Sequence, residues 1–286
     1  TFISDYEAWA VGDYGYIAHW EGALGWKHVR SPTETALYAV SFISPDDGWS
    51  VGDGGQILHW DGEEWTMFRL AQTAYSWGWP HLHTVGFASP ENGWAFGCID
   101  TEGGSRIWGL HWNGQEWQEI PNMPRLHGSI CLTAMTILSS DNVWVVGGGD
   151  RGITLHWNGS QWQDFPNPAG YWLYSIDAIS SDNIWAAGIE TTMEGYAGTV
   201  IHWNGTDWSK VELPATGWIN EVVGLSNGAV WIGGDALLHW DGREWREYEK
   251  PVMIWDRIVD IEISPDGQVW ALSRYGEFLR LGVVAR

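Results

Sequence analysis

The chain has 286 residues, 44% of them hydrophobic, and a formal net charge of −22. Its apolar content is that of a folded protein, and no apolar run approaches the ~18 residues of a membrane-spanning helix. A surface this acidic argues against nucleic acid and anionic membrane as partners, and two cysteines, Cys98 and Cys131, exclude a multi-cysteine zinc site.

Read in chain order, one unit recurs. Residues 1–22, "TFISDYEAWAVGDYGYIAHWEG", are repeated at 41–62 as "SFISPDDGWSVGDGGQILHWDG". Further copies are "ASPENGWAFG" with "LHWNGQEW", then "SSDNVWVVGGGDRGITLHWNGSQW", "SSDNIWAAG" with "IHWNGTDW", and "SNGAVWIGGDALLHWDGREW". A worn copy, "SPDGQVWALSRYGEFLRL", closes the chain. Each unit predicts four short strands. Strand a ends in a Ser-Pro-Asp or Ser-Asp-Asn turn. Strand b is the "WxVG" piece and strand c is "xILHW". An Asp-Gly or Asn-Gly hairpin turn then leads into strand d.

Four-stranded units at intervals of 39 to 50 residues are propeller blades. The fold class expected is all-β: one seven-bladed β-propeller over 1–286, with first and last blades incomplete. The blades are expected at approximately 1–35, 36–78, 79–128, 129–170, 171–216, 217–254 and 255–286. "TFIS" matches only the tail of strand a, so residues upstream of Thr1 are expected. No signal-peptide pattern opens the chain, which is then a mature, trimmed or cytosolic form.

Nineteen of the 25 tryptophans occupy repeat positions. Such side chains bury ~150–250 Å² each, about 4–6 kcal/mol before entropic costs, and are read as wedges between blades. The repeated histidines His19, His59, His111, His156, His202 and His239 are splayed by the ring and cannot converge on a metal. An inter-strand hydrogen bond or packing role is expected of them.

The unit "GWxVGxxGxILHWxGxxW" resembles the Trp-rich seven-bladed propeller repeats of secreted bacterial proteins. It is also similar to photosystem II assembly-factor propellers and, distantly, to Asp-box sialidase-type blades. Trp60 stands where an Asp-box has its aspartate, and this departure argues against a sialidase. The resemblance is specific for fold and says little of function.

Function is sought where the copies differ. Strand order puts the variable d–a and b–c connections on one face, the top. Five tryptophans outside the repeat positions fall in d–a connections: Trp77, Trp79, Trp172, Trp218 and Trp255. Tyr38, His83 and Tyr174 share one position, six residues before the closing serine of strand a. These eight residues are the candidate ligand-binding site. Aromatic platforms stack on sugar rings and anchor protein partners; padding of the blade seams is the structural alternative. Trp108 is assigned to the core. The inserts "CIDTEGGSR" and "IETTMEGYAG" are read as polar top-face loops.

Asp13, Asp53, Asp150 and Asp235 are assigned to turns. Asn158 and Asn204 match the glycosylation sequon but coincide with the hairpin turn. His81 and His83 form a two-residue pair without an evident third ligand, so no metal site is assigned. Cys98 and Cys131 belong to the top of neighbouring blades, where a disulfide and two free thiols are both open; a disulfide implies an oxidising compartment. The acids of the a strands nearest the axis are Asp177, Glu221, Asp260 and Glu262; Asp177 and Glu221, in adjacent blades, are placed to approach each other and act on a glycoside, and no nucleophile elbow or phosphate loop accompanies them. The reading is a non-catalytic, cofactor-free binding propeller, extracellular or periplasmic, that holds a glycan or a protein at its top face. Docking within a larger assembly is the alternative.

Overall fold

A computed structural model describes residues 1–70, 78–214, 216–250 and 257–283. Secondary structure is almost wholly strand, joined by short turns. The first sheet contains β1 (Phe2–Ser4), β2 (Glu7–Val11), β3 (Ile17–Glu21) and β4 (Trp26–Val29) in chain order. The second contains β5 (Leu37–Ser44), β6 (Asp47–Gly52), β7 (Ile57–Trp60) and β8 (Trp65–Phe68). The third contains β9 (Trp79–Ser89), β10 (Asn92–Thr101), β11 (Gly104–Trp112) and β12 (Trp117–Glu119).

An eight-stranded sheet holds β13 (Cys131–Ser139), β14 (Asn142–Gly148), β15 (Ile153–Trp157), β16 (Trp162–Asp164), β17 (Trp172–Ser180), β18 (Asn183–Thr192), β19 (Gly195–Trp203) and β20 (Trp208–Lys210). A further four-stranded sheet follows: β21 (Ile219–Gly224), β22 (Val230–Gly234), β23 (Leu237–Trp240) and β24 (Trp245–Glu247). The last sheet has three strands among the described residues, β25 (Ile258–Ile263), β26 (Gln268–Ser273) and β27 (Phe278–Val283). Every registered pair is antiparallel, as hairpin connections require.

The expected count of seven separate blades is corrected by this pairing. Five blade-sized sheets stand alone, four of four strands and one of three. The strands expected for the fourth and fifth blades are joined through Gly148↔Trp172, where the end of β14 meets the start of β17. The two inserts are corrected as well. They are not loops: β10 and β11 pair without interruption to Thr101↔Gly104, and β18 and β19 to Thr192↔Gly195. The polar residues simply prolong the hairpins.

Contacts divide the chain into two units. One is Thr1–Val143 with Asn158–Trp162; the other is Trp144–Trp157 with Gln163–Arg286. The same tryptophan contact builds the core of each. In the first unit, Trp9 packs on Trp60 and Trp65 of the next sheet at 4.9 and 5.7 Å between ring centres, and Trp49 on Trp112 and Trp117 at 4.8 and 5.6 Å. In the second, Trp144 packs on Trp203 and Trp208 at 5.0 and 5.6 Å, and Trp185 on Trp245 at 6.2 Å. The first tryptophan of each pairing is nearly fully buried. Large flat rings fill a gap between sheets that aliphatic side chains would leave partly empty. Trp108 is buried, as its place in β11 predicts.

The repeated histidine serves this wedge. His19, His59, His156 and His202 lie 4.1 to 4.4 Å from Trp9, Trp49, Trp144 and Trp185 of their own units. Nε2 of His59, His111 and His202 bonds Asp47, Asn92 and Asn183 at 2.8–3.0 Å, residues that precede the first tryptophan. The indole N–H of Trp60, Trp112 and Trp203 donates to the carbonyl of Pro45, Pro90 and Ser181 in the a–b turn. One His-Trp dipeptide thus fixes both the wedge and the turn beside it.

Candidate functional site

The shared position of Tyr38, His83 and Tyr174 is a β-bulge. Pairing runs Leu37↔Gly52 then Ala39↔Val51, Leu82↔Gly97 then Thr84↔Phe96, and Leu173↔Gly188 then Ser175↔Ala187. The skipped residue leaves the ladder and its side chain is re-aimed. The glycine of "WxVG" makes this possible. A Cβ on Gly52, Gly97 or Gly188 would overlap the carbonyl of Ala36, His81 or Trp172, so only glycine allows the backbones this close.

In the first unit, Tyr38 stacks on His83 at 4.9 Å and 22°. Behind His83 lies a disulfide between Cys98 and Cys131, which settles the question their positions left open. Burial, with help from neighbouring His81, pushes the His83 imidazole down to about 4. His81 lies near-parallel to His83 at 6.3 Å between ring centres but is held by other partners: Nδ1 bonds Asp53 and Nε2 lies 3.4 Å from Asp100. The two histidines therefore do not act as a pair. Beside them an open cleft of about 800 Å³ is lined by Gly54, Gly78, Trp79, Pro80, Asp100, Thr101 and Glu102. Trp79 at its edge is 77% exposed.

In the second unit, Trp172, Tyr174 and Trp218 form a run of near-parallel rings. The spacings are 6.3 and 6.0 Å and the interplanar angles 25° and 14°. Tyr196 meets Trp218 edge-on at 5.8 Å and Tyr171 at 5.5 Å. The Arg257 guanidinium covers Trp218 at 4.7 Å and donates to Asp235 at 2.7 Å. The other Asp235 oxygen accepts the Trp218 backbone N–H at 2.8 Å. Burial is the main cause that moves the Tyr174 hydroxyl up to about 12, so it stays neutral at ordinary pH. Trp77 and Trp255 lie outside the described residues.

Of the eight residues expected to form one site, the structure sets Tyr38 on His83 and lines Trp172 and Tyr174 up with Trp218. Sequence reasoning missed Tyr171, Tyr196, Arg257 and the roles of Asp53 and Asp235, which reach beyond their own turns. Tyr171 adjoins Trp172 in "GYWLYS", a signal that was available; Tyr196 comes into play only because its insert is a hairpin.

A third group, also in the second unit, holds the carboxylates Asp177, Glu221, Asp260 and Glu262. Burial first, then the charges of Asp260, Glu262 and Asp177, hold Glu221 well above the usual carboxylate range, although Ser175 donates its hydroxyl proton to it. Asp177 is fixed by backbone N–H groups of Gly224 and Ala178 at 2.8 and 2.9 Å, which offset part of its burial. Asp177 and Glu221 do approach, yet each already holds protein donors.

No protein-family model matches the chain, and no curated protein sequence does. Solved structures match along nearly all of it. A structure titled YCF48 bound to D1 peptide has a TM-score of 0.69 at 18% identity, over 99% of this chain and 92% of that one. The WD40 β-propeller domain of Doa1 gives 0.70 at 11%, over 98% and 90%. The fold is a β-propeller. A streptogramin B lyase also shares it, with a TM-score of 0.72 at 15% identity, over 96% of this chain and 90% of that one. The fold therefore hosts binding modules and an enzyme alike, and chemistry must be argued from the residues.

Proposed function

We propose that this chain is a non-catalytic binding propeller that holds a protein segment with basic side chains at the Trp79 cleft. The observation that carries the reading is Trp79. An indole 77% exposed gains nothing from the core, and it stands beside Asp100 and Glu102 on an open cleft. An indole face with adjacent carboxylates suits a lysine or arginine side chain through cation–π attraction and charge pairing. The stacked rings of Trp172, Tyr174 and Trp218 form a second, more buried anchor of the same class, with Arg257 on Trp218 showing the contact in miniature. The peptide in one structural neighbour supports this reading by analogy.

At the finer level we read the eight-stranded sheet as two repeat units, for seven in all. With its disulfide, the chain fits an extracellular or periplasmic place of work, and docking in a larger assembly is compatible with this use.

The test is a panel of basic, neutral and acidic peptides together with a glycan array, read by tryptophan fluorescence. Basic peptides are expected to bind, with Trp79→Ala and Asp100→Asn each weakening them about tenfold or more, as anchor residues do. A response to neutral oligosaccharides, with none to peptides, would replace the protein partner by a glycan. Turnover of a glycoside lost in Glu221→Gln would replace both by an enzyme.

A further inference from the structure

The disulfide has a neighbour that a structural crosslink does not need. The ligand atoms of His83, Cys98 and Cys131 all lie within 4.8 Å of one another, and both cysteines are buried. Three separate strands supply them: β9, β10 and β13. His83 is there because the bulge takes it off the β9 ladder. Its neighbours on the ladder, Leu82 and Thr84, pair with Gly97 and Phe96, while His83 itself pairs with nothing across the sheet. A bulge that re-aims one side chain is a built feature, and here it delivers an imidazole to two sulfurs. Two cysteines are too few for a zinc site built on cysteine alone, which is what their number excluded, but two sulfurs with the imidazole the bulge supplies are a donor set for zinc, and three protein ligands leave the fourth tetrahedral position open.

We propose that reduction of the Cys98–Cys131 bond turns this group into a Cys₂His site for Zn²⁺, with the fourth position open to water or an outside ligand. The step balances. A dithiol reductant gives two electrons and two protons to the S–S bond and becomes a disulfide itself; the two new thiols release their protons as Zn²⁺ takes both sulfurs. In the reverse step a small-molecule disulfide takes the two electrons and, with two protons, leaves as two thiols while the Cys98–Cys131 bond re-forms and Zn²⁺ is released, so metal-bearing and crosslinked chains exclude each other. The Tyr38 ring, 44% exposed, stacks on His83.

The full chain, reduced anaerobically with a phosphine that ends as its oxide, is titrated with Co²⁺ as a coloured stand-in for Zn²⁺. One Co²⁺ per chain is expected, with thiolate charge-transfer absorption, displaced by Zn²⁺. The oxidised chain should give no such band. His83→Ala, or His83→Gln should alanine disturb the fold, should weaken binding at least about tenfold, a loss of the size that perturbing a metal site brings. Tryptophan near-ultraviolet dichroism reports folding throughout. A reduced, folded chain without the band overturns the proposal, as do His83 variants that bind as well as the parent. Loss of the dichroism on reduction overturns it too, because the pair would then be a crosslink alone.

Discussion

Glu221 shows how a single residue can set a pH dependence for the fold. Its carboxyl is held above the normal 4.5 by burial and by the facing Asp260, Glu262 and Asp177, so the folded chain keeps a proton that the unfolded chain gives up. The stability tied to it is fully present below about pH 4.5 and is lost as pH rises through the raised value. Glu221→Gln keeps the acceptor for the Ser175 hydroxyl and removes the charge. Its melting temperature should exceed the parent's at pH 8, and the difference should vanish near pH 4. A variant less stable at pH 8 would mean that the ionised carboxylate has a favourable partner. The four acids are legible in sequence as exceptions in apolar a strands; the proton that Glu221 keeps is not. Their convergence depends on strands from different repeats.

At the scale of the element, the hairpin turn between strands c and d is almost entirely local. The Asn204 Oδ1 atom accepts the backbone N–H of Thr206 and Asp207 at 2.9 and 3.0 Å, and Asn158 does the same for Ser160 and Gln161. This explains why the sequon-like pattern appears in this repeat without any need for a glycan. Asn204→Ala should cost about 1 kcal/mol in urea unfolding, the usual value of such a bond pair, whereas Asn204→Asp should cost little. The turns and the "WxVG" strands were readable because their signals sit within a few residues. The bulge was half readable. The shared position of Tyr38, His83 and Tyr174 could be counted off, and so could the conserved-in-repeat glycine, but not that Gly97 permits the bulge at His83. The inserts are polar, which in sequence points to irregular loop, but backbone pairing in an extended hairpin continues regardless of side-chain polarity.

For the whole molecule, the charge of −22 acts on stability and on association together. Self-repulsion of an acidic surface weakens as salt shortens the Debye length from ~10 Å at 0.1 M to ~3 Å at 1 M. The melting temperature should therefore rise with sodium chloride, while association with a basic peptide should slow over the same range. A melting temperature that falls with salt would show that ion pairs such as Lys210 with Glu190 outweigh the repulsion.

The sequence by itself determined the repeat, the antiparallel strands within each unit, the tryptophan wedge and the packing and hydrogen-bonding role of its histidines. All of these recur at a fixed spacing and act over a few residues or between one unit and the next. Tertiary structure alone decided that two expected blades share one sheet, that Arg257 covers Trp218, that four acids gather, and that His83 faces Cys98 and Cys131. Apart from His83 and Cys98, which lie on paired strands of one sheet, those partners come from different repeats, and only the approach of one folded sheet to another brings such side chains together.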